Sequence, residues 1–400
     1  MSQTKAINPL RLLPLLASIV AISPLAIDMY LPAMPTIAEE LNTTPTAVQN
    51  SLSIYMAGYA LGMLVFGPIA DRIGRRRVVI IGLLGFAFFS VALAFAQSIE
   101  SFLTLRFFQA AISSGATVVV PGVIRDMYGR HTAKGLSYVS MIMMIAPMIA
   151  PSIGSFILHF TGWRNIFLVL AAYAILILGF VMWKLPSSMP KKKNRKWLRE
   201  FANNYKAVFA NKSVRLDLFT SMFATFAFFC YLTSISYLYI SHFGADEQTF
   251  SILFAVNVIG LFISNIINSR IVERFGSRKL LRFGSIYALF TGTAFFTVLQ
   301  LDLGLYATAA SIFLLLGSLA FITTNSDALV LNTFAEKSGT ATAVIGTLRF
   351  GSGALAGPLL ALLFDGTPSN FAWLVLGSVV LVLAMQVLNN VQNIPTIRAS

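Results

Sequence analysis

Apolar residues in this chain come in long blocks with almost no charge inside them. They cover 12–27, 48–66, 78–96, 101–124 apart from Arg106, 139–158, 166–183, 218–241, 250–269, 283–301, 303–326, 340–363 apart from Arg349, and 371–391. Each is close to the ~20 residues a helix needs to cross the hydrocarbon of a bilayer. A dozen such blocks leave little chain for a separate soluble domain. The pattern predicts an all-α membrane protein with about twelve transmembrane helices.

Composition agrees. Hydrophobic residues make up 57% of the 400 and charged residues only 11%, where a soluble domain carries about a quarter charged. The first block is too long for a signal peptide and lacks a convincing small-residue cleavage site. The lone Cys230 lies inside an apolar block, so no intramolecular disulfide exists.

The net charge of +14 resembles a nucleic-acid signal until the charges are placed. Basic residues gather at every second junction between blocks, from Lys5 and Arg11 through Arg72–Arg77, Arg125–Lys134, Lys184–Arg215 and Arg270–Arg282 to Lys337 and Arg398. The intervening junctions hold Glu39, Glu40, Glu100, Asp246, Glu247, Asp302 and Asp365, with Arg164 as their only strong base. This is the positive-inside pattern. It predicts two cytoplasmic termini and an even helix count, with the bilayer rather than nucleic acid as the partner of the charge.

The longest polar break, 184–215, carries Pro186, Pro190 and the run Lys191, Lys192, Lys193, Arg195, Lys196. Behind that run, Trp197, Leu198, Phe201, Tyr205, Val208 and Phe209 recur at helical spacing, which predicts an amphipathic helix on the anionic inner leaflet. A solvated basic linker is the other reading. The break separates two similar halves. Asp71-Arg72-Ile-Gly74-Arg75-Arg76-Arg77 follows the second block, and Glu273-Arg274-Phe-Gly276-Ser277-Arg278-Lys279 follows the eighth. An internal repeat of six helices explains the match. The predicted organisation is a six-helix bundle over 1–184, a cytoplasmic linker over 185–214 and a second six-helix bundle over 215–400.

The first of these loops, with Gly67, Asp71, Arg72, Gly74, Arg75 and Arg76, carries more than charge. Asp71 can cap a helix start or pair with a neighbouring base, and Gly74 permits a tight reversal. Arg72 and Arg75 can meet Asp126 in the next cytoplasmic loop as a salt-bridge latch. Plain positive-inside charge would leave the acid and both glycines unexplained.

That loop, in a chain of six plus six helices, resembles the major facilitator superfamily. Asp28-Met-Tyr30-Leu-Pro-Ala-Met-Pro35, Leu103-Thr-Leu-Arg106-Phe-Phe-Gln109 and Gly346-Thr-Leu-Arg349-Phe-Gly351 are similar to drug:proton antiporters of the bicyclomycin-resistance (Bcr/CflA) type. Ala146-Pro147-Met-Ile-Ala150-Pro151-Ser-Ile-Gly154 resembles the antiporter signature in a less glycine-rich form, and Ala110 stands where the pattern commonly has glycine. The resemblance covers nearly the whole chain. It implies export of small drug-like molecules in exchange for protons across a bacterial inner membrane, with no cofactor beyond the coupling ion.

Several side chains bear on that chemistry. Ala146, Ala150 and Gly154 form a small-residue face while Pro147 and Pro151 bend the helix, which can seal a cavity or simply serve packing. Asp28 and Arg106 lie at similar depth in the outer half of the bilayer, about four and five residues from their helix ends. Burial and a nearby guanidinium act oppositely on a carboxyl's proton affinity, so the two are predicted to pair and to switch a proton. A structural ion pair is the other reading. Arg349, near the midplane, either faces the substrate cavity, attracts an anionic group or depresses the proton affinity of Asp28, or else donates to backbone carbonyls at a helix crossing. Tyr30, Tyr55, Tyr59, Met144, Phe228 and Tyr231 join Asp28 and Arg349 as candidate substrate contacts. Asn257, Ser264 and Asn268 read as interhelical glue.

No catalytic constellation or Walker-type phosphate loop occurs, which points away from an enzyme and from ATP as energy source. The reading is therefore a proton-coupled exporter working by alternating access, and nothing requires more than a monomer. Proton-coupled import of a metabolite, or a receptor that has lost turnover, are the alternatives.

Overall fold

The structure, a computed structural model, describes residues 12–128, 132–185, 209–334, 338–364 and 366–392. The stretch 186–208, where the amphipathic linker helix is expected, lies outside the described residues. Those described form fourteen α-helices and no strand. They are α1 (Leu13–Asp28), α2 (Met34–Glu40), α3 (Pro45–Ile73), α4 (Arg75–Ala94), α5 (Ile99–Val118), α6 (Val120–Tyr128) and α7 (Thr132–Thr161). Then come α8 (Trp163–Lys184), α9 (Lys212–Ser236), α10 (Glu247–Phe275), α11 (Ser277–Gln300), α12 (Leu305–Thr333), α13 (Ser338–Leu362) and α14 (Ser369–Gln392). The pairs α1–α2 and α5–α6 are each one segment interrupted by a short turn, so twelve segments follow one another among the described residues.

Ten of these segments are long and apolar enough to cross a membrane. The helices and their ends expose Phe88, Phe95, Phe156, Phe160, Trp183 and Leu362. In water so much bare apolar surface would drive aggregation; in a bilayer it meets lipid.

Helix ends follow local chemistry. Thr44 accepts from the Ala47 amide to cap α3, Ser98 and Ser101 form a reciprocal capping box on α5, and Asn211 accepts from Val214 to cap α9. The two repeated loops reverse at matching glycines, Gly74 between α3 and α4 with φ 94° and Gly276 between α10 and α11 with φ 78°. Side chains rarely adopt such values.

The chain divides into two compact units, Met1–Lys193 with Glu247–Ala255, and Asn194–Asp246 with Val256–Ser400. In the first, α1 packs chiefly on α7, α3 on α5, and α4 on both α5 and α8. Gly58 and Gly62 of α3 lie directly on the backbone of α5, a close approach that side chains would prevent. In the second unit α9 packs along α12, α13 and α14, and α11 along α12 and α14. Polar groups join helices there as expected: Asn257 donates to the Tyr239 hydroxyl at 2.7 Å, and Asn325 to Asn268 at 2.6 Å.

Candidate functional site

The first segment breaks at Asp28. Pro32 has no amide hydrogen to donate back to the Asp28 carbonyl, and Pro35 repeats the deficit one turn on, so the α-helix gives way to a 3-10 turn over Leu31–Ala33. The carbonyl of Ala26, in the last turn before the break, accepts from Arg106 Nη1 at 3.1 Å. A guanidinium at the negative end of a helix is favourable in itself.

Arg106 is fully enclosed. Its guanidinium carbon lies 4.3 Å from the Tyr30 ring centre and 4.5 Å from that of Tyr55, in cation–π geometry. Nη1 also donates to Gln109 Oε1 at 2.8 Å, and Gln109 Nε2 in turn donates to Ser90 Oγ at 2.8 Å, tying α5 to α4. Tyr30 and Ser51 share a hydroxyl hydrogen bond at 3.0 Å; Tyr55 stacks on Tyr59, whose hydroxyl meets Thr117 at 2.5 Å. Tyr30, Tyr55, Tyr59 and Arg106 thus belong to one cluster inside the first unit, and Asp28 follows two residues after the Ala26 carbonyl that Arg106 holds.

The predicted pairing of Asp28 with Arg106 is not formed. Asp28 is buried, its Oδ1 has no hydrogen-bond partner among the described residues, and no ion pair joins it to Arg106. Equal depth in the membrane does not fix direction around the helix. The arginine is held instead by a carbonyl, an amide oxygen and two aromatic faces, with no carboxylate among these partners. Arg106 Nε and Nη2 have no hydrogen-bond partner among the described residues.

Gly154 of α7 abuts the Met29 carbonyl, immediately after Asp28, so a side chain there would strike the broken helix. Ala146 and Ala150 are buried on the same helix, and Pro147 and Pro151 lie within it. The small-residue face of α7 therefore packs on the break that carries the acid.

The latch residues divide. Gly67 faces open space, Arg72 is exposed, and Arg76 donates to the Met182 carbonyl at the end of α8 at 2.5 Å. Arg75 is buried against Gly122 of α6, where a Cβ would come within 2.7 Å of its guanidinium carbon. The side chains of Asp71, Asp126 and Met144 lie outside the described residues.

In the second unit Phe228 and Tyr231 lie with ring centres 6.1 Å apart, and Phe229 meets Phe350, the neighbour of Arg349, at 6.1 Å. Arg349 is ion-paired with Asp327 of α12, whose other carboxylate oxygen accepts from Ser221 of α9 at 2.7 Å. The alternative that Arg349 donates to backbone carbonyls gives way to this pair. Asp327 is missing from the sequence reading because the tenth apolar block stops at 326. A second cluster joins the repeated loop to its bundle: Arg278 donates to both oxygens of Asp217 at 2.6 and 2.8 Å, and Asn389 donates to the same carboxylate at 3.0 Å.

The family model described as Major Facilitator Superfamily matches residues 16–358. The chain belongs to the major facilitator superfamily. It is a multi-pass membrane transporter, not an enzyme. Among curated relatives it is 29% identical over 341 residues to the bicyclomycin resistance protein homolog of Haemophilus influenzae, covering 84% of this chain and 85% of that one. It is 30% identical over 352 residues to the uncharacterized MFS-type transporter YdgK of Bacillus subtilis, covering 87% and 88%. Multidrug resistance protein MdtL of a Shewanella strain is 36% identical over 174 residues, 43% of this chain and 44% of that one. Among solved structures, the nucleoside transporter NupG superposes with TM-score 0.76 at 12% identity over 97% of this chain and 100% of that chain. The xylose transporter XylE of E. coli gives 0.75 at 14% identity, over 94% and 96%. At such identities these two speak for the fold alone.

Proposed function

We propose that this transporter exports small drug-like molecules in exchange for protons, by alternating access, with Asp28 as the proton-exchanging group. The observation that carries the reading is Asp28 itself, an enclosed carboxyl at the break of the first helix with an oxygen lacking any partner among the described residues. The charged and neutral forms of such an acid require very different surroundings, so moving a proton on or off favours a rearrangement of the helices around it. Arg106, bonded to the Ala26 carbonyl of the same segment, has two nitrogens without a hydrogen-bond partner among the described residues. It can turn toward the acid when that group is ionised, or toward substrate when it is not.

The bicyclomycin- and multidrug-resistance names of the relatives support a drug substrate for this chain, with the aromatic side chains Tyr30, Tyr55 and Tyr59, and Phe228 and Tyr231, as contacts. Arg349, Met144 and the antiporter helix through Pro147, Pro151 and Gly154 complete the proposed machinery, and the loop of Asp71 and Asp126 serves as its latch. The protein resides in the bacterial inner membrane with both termini cytoplasmic and works as a monomer.

The test is accumulation. In an efflux-deficient host, the parent lowers cell content of bicyclomycin, chloramphenicol or a cationic dye, and collapsing the proton gradient restores it. Accumulation of a metabolite on energising the cells would instead favour import.

A further inference from the structure

We infer that Asp327 sets the charge selectivity of the second unit by neutralising Arg349 on a water-exposed wall of the transport pathway; this rests on the drug-export reading. Asp327 lies about 9 Å from the end of α12, Ser221 about 14 Å from the start of α9, and Arg349 about 16 Å from the start of α13, at 1.5 Å per residue. All three distances run from helix ends on the same side of the membrane, because successive helices alternate in direction. The pair therefore sits at bilayer depth, where charges face a bundle interior or a water-filled cavity rather than lipid.

The side chains are 33% exposed for Arg349 and 18% for Asp327. Helices α12 and α13 both pack along α9 and touch each other little, and the ion pair spans the gap between them. One turn toward the same helix ends, Val214 and Leu218 of α9, Val330 of α12 and Val344 and Ile345 of α13 close into an apolar cluster. The partly exposed polar pair is thus followed, one turn on, by a buried apolar cluster. Asp217 on α9, the nearest other charge along that helix, is engaged with Arg278.

The bonding within the pair is uneven. Both oxygens of Asp327 are taken, one by Ser221 and one by Arg349. Arg349 reaches the carboxylate through Nη2, and its Nε has no hydrogen-bond partner among the described residues. A satisfied, mostly covered acid holds a more exposed and incompletely satisfied base. With both present the wall carries no net charge and suits neutral and cationic compounds. Without the acid it would present a bare guanidinium, whose planar fork binds carboxylates.

The prediction is reciprocal. Equilibrium binding to purified protein is measured for nalidixate as anion, chloramphenicol as neutral probe and ethidium as cation. Asp327→Asn should raise nalidixate affinity and lower ethidium affinity by about tenfold each, and Arg349→Gln should do the reverse. Chloramphenicol should move little in either, Arg349→Lys should keep the parental ranking, and the Asp327→Asn/Arg349→Gln double variant should return to it. Equal changes for all three probes, or none, would overturn the inference. So would failure of both single variants to fold, which would assign the pair to stability. A parent that binds no probe counts against drug export, yet nalidixate affinity appearing in Asp327→Asn would still support the charge-setting role, and its absence would end it.

Discussion

Placing a methyl group at Gly154 should weaken the contact between α7 and the broken first helix. A Cβ there would meet the Met29 carbonyl oxygen head-on and lie 2.7 Å from its carbon. Carbon atoms pack at about 3.5–4.0 Å, so the helices must separate by at least about 1 Å, and the nearer oxygen demands more. Overpacking of this size costs about 1–3 kcal/mol. It is offset by the better helix propensity of alanine, up to about 1 kcal/mol. Gly154→Ala should therefore lower the apparent Tm of the purified protein by a few degrees, and Gly154→Val by more. Gly179 of α8 is the control, because a Cβ there meets nothing within 4 Å. Gly179→Ala should hold or raise the Tm. Since Met29 adjoins Asp28, Gly154→Ala should also let protons leak through proteoliposomes without substrate. Equal melting of Gly154→Ala and Gly179→Ala, with no leak, would refute the packing argument.

Other expectations follow from the same contacts. Gln109→Leu removes the side-chain acceptor of Arg106 and the donor to Ser90, and should cost about 1–3 kcal/mol, read as loss of thermal stability. Arg106→Lys keeps the charge but loses the planar face between Tyr30 and Tyr55, so it should impair proton-driven transport more than folding, checked by comparing transport with melting. Asp217→Ala strips Arg278 and Asn389 of their shared acceptor and should destabilise by about 3 kcal/mol, the low end for a broken pair because Arg278 is one-third exposed. Asp71→Asn should slow transport of every substrate by a similar factor, which a drug panel at equal expression would test.

The sequence was most legible where the bilayer constrains it. Block length fixes the helices, and the spacing of Gly74 and Gly276 marks the repeat. Directions around a helix were not legible. Equal depth predicts a pair of Asp28 and Arg106, yet the arginine takes the Ala26 carbonyl and Gln109 instead. Tyr30 and Tyr55 are legible as candidate contacts, but their clasp on Arg106 from two sides depends on how α3 and α5 pack against the broken first segment. Asp327 is not legible from the apolar blocks, because α12 continues seven residues past the end of its block. A hydropathy window cannot see that Ser221 and Arg349 make a polar extension of the helix tolerable.

Asp28 is proposed to couple substrate movement to protons. Its most direct test uses Asp28→Asn protein in proteoliposomes with a transported drug on both sides. Concentrative transport driven by a pH gradient should be lost while substrate-for-substrate exchange continues, since the amide keeps the shape of the site but cannot titrate. Gradient-driven transport at the parental rate would contradict it.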